Sequence, residues 1–458
     1  MSNSISLVFE NNSRIQSSES VKQFVDKQSS SFVDVFLNDE QLVVIKDSDA
    51  PTYEDIRMTA GSIARSLSKQ NLPEAVLSGA ALVNHYSNLE AEKVVTAFVE
   101  GWELGTYTFT EYKTKKEGFA TKFILNGKEW DTYVTQGKIR ASGVAFSRNL
   151  MNEIPSTLNP ETFPEILSNE FSGTNVEVKV HNKAALEEME MNGVLTVGRG
   201  SKYEPSFVEL TYKGDYSKPL VALVGKGVTF DTGGISLKKG KDISSMRMDM
   251  GGAAAVSGAM KLLADSNANV NVVALIPIVE NMPDKLSVLP GEVIHYKNGH
   301  TVQVGNTDAE GRLILADGLI RAGELGAEYI VDIATLTGAI LNALGTKLAG
   351  VFGDEGLALQ MKTLGDINGD YNWPMPLVDD YDNYLASDFA DFSNTSSKAH
   401  AGSITASLFL RRFKPEDSKW LHVDMAGVMM GQEKGYYSKA ATGFGARLLA
   451  DFTELVSK

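Results

Sequence analysis

The sequence predicts an α/β protein of two domains: a smaller N-terminal α/β domain over residues 1–145, and a larger domain over 146–458 built on a mixed, mainly parallel sheet flanked by helices. Three observations carry that expectation. The 458 residues exceed one ordinary domain, and 43% of them are hydrophobic, enough for large cores. From Leu220 onward short β-rich apolar runs alternate with helical patterns, as parallel strands joined by crossover helices require. Around Ser147 to Phe163 the sequence changes character, and Pro155 and Pro160 each disfavour helix in the residue before. The junction is therefore expected just ahead of that stretch, with a linker helix region at about 146–170.

In the first third, Ile5–Phe9 and Phe32–Leu37 read as strands, and Tyr53–Ser68 and Leu89–Glu103 as helices. Lys113-Thr114-Lys115-Lys116-Glu117 is a small basic run, read as a solvated turn rather than a partner contact. In the second domain the expected strands are Leu220–Val224, Val270–Pro277, Tyr329–Ile333 and Trp420–Val423. The expected helices are Ala253–Ala264, Leu313–Leu325 and Thr405–Phe413. Ligands in such folds sit beyond the carboxyl ends of the strands. Lys226 closely follows the first of these strands and Thr335-Leu336-Thr337-Gly338 follows the third, so both fall at that edge.

Composition limits the partners. A formal net charge of −15 and a pI near 5.0 argue against a broad nucleic-acid or anionic-membrane footprint. Cysteine is absent, so neither disulfides nor thiolate ligands contribute. The segment Met1-Ser2-Asn3-Ser4-Ile5-Ser6 lacks a basic region followed by an apolar core, and no apolar run reaches spanning length. The expected location is the cytoplasm.

Chemistry concentrates in two clusters. The octapeptide Asn306-Thr307-Asp308-Ala309-Glu310-Gly311-Arg312-Leu313 places two acids and an arginine between an alternating apolar stretch and a helical pattern. Side chains two apart on a regular helix point nearly opposite ways, so Asp308 and Glu310 can face one ion only from a loop. The plainer reading is a solvated loop whose acids favour the positive end of the following helix. The second cluster runs from Val224 to Lys238 and continues at Met246-Arg247-Met248-Asp249-Met250-Gly251-Gly252. Together they supply Lys226, Asp231, Lys238, Asp249, Asp308, Glu310 and Arg312 within Gly-rich, otherwise apolar sequence. Divalent cations satisfy buried carboxylates well, because oxygen ligands suit a hard or borderline ion.

Competing chemistries lack their anchors. Neither GxxxxGK[ST] nor a GxGxxG opening a helix is present, and no G-x-S-x-G occurs. His85, His181, His295, His300, His400 and His422 are scattered, form no HExxH, and read as structural. Two ions suit four acids better than one, since a catalytic ion keeps an open position. If Lys226 is a ligand it must be neutral, which requires lowering its pKa from about 10.4 to below about 7. Lys238 and Arg312 can stay cationic and stabilise an oxyanion, or form plain salt bridges to the acids. A different two-metal hydrolase, such as a phosphoesterase, would use the same acids.

Both clusters resemble the leucyl aminopeptidase (cytosol aminopeptidase) family of two-metal, hexameric enzymes. The family signature Asn-Thr-Asp-Ala-Glu-Gly-Arg-Leu stands at Asn306–Leu313. Its upstream patterns are met at Gly225–Lys238 and Met246–Gly252, and the likeness extends to Asp332–Gly338 and His422–Met429. In the N-terminal third the likeness is loose, chiefly Glu100-Gly101 and Leu104-Gly105-Thr106-Tyr107. The resemblance implies that residues 146–458 form a catalytic metallopeptidase domain. Lys226, Asp231, Asp249 and Glu310 would hold one divalent ion, zinc or manganese, and Asp231, Asp308 and Glu310 the other. It also implies catalytic roles for Lys238 and Arg312, the arginine holding a bicarbonate that acts as general base. Met246, Thr335, Gly338, Ala426 and Met429 match the family's pocket for the first side chain, expected to take Leu or Met. The implied reaction is removal of an N-terminal residue by a hydroxide shared between two ions, in a homohexamer with peptide substrates. Some relatives bind DNA, which the acidic composition makes an unattractive reading here.

Overall fold

Alternation of buried and half-buried positions marks the first strand, Ser4–Phe9, and the computed structural model places it at the centre of a sheet. The structure describes residues 4–46, 50–115, 119–240 and 242–458. Lys116 and Glu117 of the basic run, and Met1 to Asn3, lie outside the described residues. By packing, the chain divides into two units. One comprises Met1–Ala145 with Ile367–Gly369 and Gly431–Ala440; the other comprises Phe146–Asp366, Asp370–Met430 and Ala441–Lys458. The helix Asp131–Asn152 covers the change of composition at Ser147, and Pro155 and Pro160 follow its end. Among the described residues no helix is long and apolar enough to cross a membrane.

In the first unit the sheet order is Phe32–Leu37, Glu40–Ile45, Ser4–Phe9, Glu74–Ser78, Lys122–Asn126, the first pair antiparallel and the rest parallel. Asn38 and Asp39 close the hairpin with φ of 51° and 63°, a turn that matches strand twist and that Asn and Asp tolerate well. The helices Tyr53–Lys69 and Ala91–Thr106 pack their apolar faces on this sheet, the first started by a capping box between Thr52 and Asp55.

The second unit carries the larger sheet, in the order Asn372–Pro374, Ala349–Gly353, Lys419–Asp424, Tyr329–Ala334, Leu220–Gly225, Asn271–Asn281, Ser206–Lys213, Val176–His181. The four middle strands are parallel, Ala349–Gly353, Ser206–Lys213 and Val176–His181 join through antiparallel pairs, and Asn372–Pro374 lies parallel to Ala349–Gly353. The expected strand Val270–Pro277 runs on to Asn281, because its far end pairs with a strand absent from the expectation, Gly227–Asp231. Both antiparallel strands beyond it, Ser206–Lys213 and Val176–His181, were also not anticipated. The helices Gly251–Asp265 and Gly311–Glu324 each begin two residues before their expected starts. At the first of these a Cβ on Gly252 would lie 2.0 Å from the Ile333 carbonyl oxygen, so only glycine lets the helix start sit against the sheet.

This topology positions the site. Leu220–Gly225 and Tyr329–Ala334 are neighbours whose onward pairings leave in opposite directions, to Asn271–Asn281 and to Lys419–Asp424. A crevice opens beyond the carboxyl ends of such a strand pair.

Candidate active site

Lys226 leaves the end of Leu220–Gly225 and is 3% exposed. Its backbone N–H donates to Ile333 O at 3.1 Å, tying it to the neighbouring strand. Its Nζ lies 2.7 Å from Asp249 Oδ2 and 2.9 Å from Glu310 Oε1, and donates to Thr335 O at 3.1 Å. Gly311 makes room for this lysine, since a Cβ there would meet Lys226 Cε at 2.6 Å. Lys238 is the counterpart on the open side. Its Nζ is 2.6 Å from both Asp231 Oδ2 and Asp308 Oδ1. Each ammonium thus sits between two carboxylates, and four acids share two lysines.

Asp231, Asp308 and Glu310 offer oxygens that all lie within 4.8 Å of one another. Asp308 and Glu310 occupy the loop ahead of the helix Gly311–Glu324, as their spacing demands. Glu310 stands at the helix N-cap but makes no side-chain cap hydrogen bond. Its carboxylate turns to Lys226 instead, which sets aside the reading of these acids as a helix-entry loop. Among the described residues Glu310 Oε2 is buried without a hydrogen-bond partner, and Asp249 Oδ2 and Asp308 Oδ1 have only ion-pair proximity. Buried carboxylate oxygens in that condition fit a cation.

Electrostatics point the same way. Burial raises the pKa of Glu310 and of Asp249, and the neighbouring Asp231 raises both further. Burial also raises that of Asp308. Burial opposes the charge of Lys226, but Asp249 and Glu310 outweigh it and hold its pKa above the ordinary lysine value. For Lys238 Asp231 does the same. The cluster is an excess of acid: four carboxylates form their ion pairs with two lysines.

A match to the cytosol aminopeptidase family's catalytic domain covers residues 145–450, and a match to that family's N-terminal domain covers residues 47–116. The chain belongs to the cytosol aminopeptidase family. A probable cytosol aminopeptidase of Xanthobacter autotrophicus is 42% identical over 360 residues, 76% of this chain and 72% of that protein. One from Mycobacterium tuberculosis is 38% identical over 419 residues, 88% of this chain and 80% of that protein. The solved bottromycin maturation enzyme BotP in complex with Mn superimposes with a TM-score of 0.91 at 29% identity, covering 100% of both chains. The family-level activity is that of an aminopeptidase, a peptide-bond hydrolase. The N-terminal match extends family membership to the third of the chain where the likeness is loose.

Arg312 lies in the first turn of Gly311–Glu324, 8% exposed. Burial lowers its pKa to about 10, against the support of Glu310 and Asp424. Its Nη1 donates to Asn394 O at 2.8 Å, while its Nε is buried without a hydrogen-bond partner among the described residues. An orphaned guanidinium donor beside the acid cluster fits a small anion.

Of the residues expected to line a pocket, Thr335 is buried and joins the cluster, its hydroxyl donating to Asp249 Oδ1 at 2.7 Å. Met246, Ala426 and Met429 are half-buried and Gly338 is exposed. Buried Asp424 shapes the turns that carry Gly338 and Ala426. It accepts the N–H groups of Leu336, Thr337 and Ala426 and, at 2.6 Å, the Thr337 hydroxyl. Sequence reasoning passed over Asp424, and also Asn281, whose Nδ2 donates to Asp231 Oδ1 at 2.8 Å and to Thr307 O at 3.0 Å. The available signal for Asn281 was a polar residue closing an apolar run at the carboxyl edge of the sheet.

Proposed function

We propose that this chain is a two-metal aminopeptidase that removes Leu-like or Met-like residues from the N-termini of peptides. One observation carries the reading: four buried or half-buried carboxylates converge on a space bridged by two lysines, with three of their oxygens lacking hydrogen-bonded partners among the described residues. Lys226, Asp231, Asp249 and Glu310 would hold one divalent ion, and Asp231, Asp308 and Glu310 the other; zinc and manganese both suit this donor set. When bound, such a pair of ions lowers the pKa of a shared water and polarises the scissile carbonyl.

The chain's own groups do the rest. Lys226 enters such a site only as a neutral amine, so occupancy replaces its proton. Lys238, half-buried and cationic, is placed to stabilise negative charge on the carbonyl oxygen. Arg312 keeps an unused buried donor for an anion, and a bicarbonate there would serve as the proton acceptor that no free carboxylate supplies. Met246, Thr335, Gly338, Ala426 and Met429 would receive the first side chain; the small and soft apolar ones suit Leu or Met. We further propose a cytoplasmic homohexamer.

The test is release of the chromophore from leucyl, methionyl, alanyl and acidic aminoacyl anilides by metal-stripped protein, with zinc or manganese restored in turn. Turnover of the leucyl and methionyl compounds with either ion is expected, and its loss in Asp308→Ala and Glu310→Ala. Absence of turnover with every ion sinks the proposal.

A further inference from the structure

We infer that Asn394 is a positioning residue of the metal site, holding the loop that carries Asp308 and Glu310 in shape; this inference rests on the two-metal reading above. Asn394 is fully buried and follows the short strand Phe392–Ser393 of a small sheet with Val293–His295 and Thr301–Gln303. Its backbone N–H donates to Gln303 O at 2.9 Å, continuing the pairing of Ser393 with Gln303 by one more hydrogen bond. Beyond that point Val304 exchanges backbone hydrogen bonds with Gly291 and Glu292, and among the described residues the chain at 305–310 pairs with no strand. Thr307 and Glu310 of this loop are buried while Gly305 and Asn306 are exposed, and four of its peptide groups take their partners from one side chain.

The Asn394 side chain supplies them. Its Oδ1 accepts the N–H of Gly305 at 2.8 Å and of Asn306 at 3.3 Å. Its Nδ2 donates to Asn306 O at 2.8 Å and to Ala309 O at 3.2 Å. A carboxamide has two acceptor sites and two donor hydrogens, and all of this one's capacity is spent on the backbone of 305–309. The main-chain carbonyl of the same residue takes Arg312 Nη1 at 2.8 Å. Asn394 therefore touches the signature segment on both sides of its acids, through the side chain ahead of Glu310 and through the backbone behind it.

Neither aspartate nor a smaller side chain fits this role. Aspartate has the same shape but no donor, so its second oxygen would face the carbonyls of Asn306 and Ala309. Alanine or serine leaves most of the four loop groups unpaired. In none of these variants is the Arg312 contact removed, because it is made to the backbone. The side chain's effect on metal binding is thus separable from the arginine's.

The experiment uses the full chain and four proteins: wild type, Asn394→Asp, Asn394→Ser, and Ile294→Ala as a control that loosens the same small sheet. Each is measured for thermal melting, for Mn2+ affinity by calorimetric titration, and for kcat and KM on a leucyl anilide at saturating Mn2+. The expected result is Mn2+ affinity weaker by about 10–100-fold in both Asn394 variants, kcat reduced at least as much as affinity, and KM changed by less than about threefold. Ile294→Ala should melt earlier yet keep Mn2+ affinity and kcat within about twofold. The inference is overturned if the Asn394 variants match wild type in both quantities. It is equally overturned if Ile294→Ala loses them to the same degree, or if neither Asn394 variant melts cooperatively while Ile294→Ala does, since Asn394 is then merely structural. If wild type lacks turnover, the aminopeptidase reading falls, and the Mn2+ titration alone still decides the role of Asn394.

Discussion

The Thr307 hydroxyl donates to the carbonyl oxygen of Gly233 at 2.6 Å and accepts the Ser236 N–H at 2.8 Å, fastening the loop of Asp308 and Glu310 to the loop of Asp231 and Lys238. Thr307 is 1% exposed, so neither bond is replaced by solvent when the hydroxyl is removed. Thr307→Val keeps the shape and leaves two buried backbone groups unpaired, each costing about 1–3 kcal/mol. We expect a lower melting temperature together with at least a tenfold loss of turnover on a leucyl anilide, and Thr307→Ser close to wild type in both. A valine variant of unchanged activity would show that the two loops hold their spacing without this bond.

Metal removal should leave a folded chain. Asp249 and Glu310 keep Lys226 as partner, and Asp231 and Asp308 keep Lys238, so chelation removes activity without leaving four acids bare. Lys226→Met exposes the dependence. Deleting one member of a buried ion-pair group costs about 3–5 kcal/mol, and the metal-free variant should unfold at correspondingly lower urea concentration. Equal urea midpoints for the metal-free variant and metal-free wild type would contradict this account.

Gly338 opens the helix Gly338–Leu344, and a Cβ built there meets nothing within 4 Å. A side chain at this position therefore projects into free space rather than into the fold. If that space receives the substrate's first side chain, Gly338→Val folds normally but selects against large residues. The ratio of kcat/KM for leucyl over alanyl anilide should fall at least tenfold, because a filled pocket discriminates by excluded volume. An unchanged ratio would remove Gly338 from the pocket.

The alternating pattern from Leu220 onward was enough to place the parallel strands, because strands buried on both faces read as continuous apolar runs. Ser206–Lys213 and Val176–His181 escaped notice because Glu209, Lys179 and Glu177 interrupt them with charge. Asp231, Asp308 and Glu310 were legible since acids in apolar, Gly-rich sequence demand a partner. Asn394 was not, because within Phe392-Ser393-Asn394-Thr395-Ser396 it looks like any polar loop residue. Its significance lies in contacts made 85–89 positions away in sequence. Likewise nothing local marks Gly431–Ala440 as part of the first unit, where the Tyr436 hydroxyl donates to Glu54 Oε1 at 2.8 Å.

Glu209 gives the fold an acid limit independent of the metal site. It is 6% exposed in the strand Ser206–Lys213, with Arg321 Nε at 2.8 Å and His181 Nε2 at 3.2 Å from Oε1. Burial alone would raise its pKa, but His181 and Arg321 together lower it from 4.5 to about 2. The folded state thus favours the carboxylate. Its contribution, on the order of 3 kcal/mol, is complete above the unfolded value and is lost as pH falls toward the folded one. Glu209→Gln should lower the melting temperature at neutral pH and flatten its decline between pH 4.5 and about 2 relative to wild type. Melting measured across that interval decides the matter, since parallel declines in the two proteins would mean that another carboxylate sets the limit.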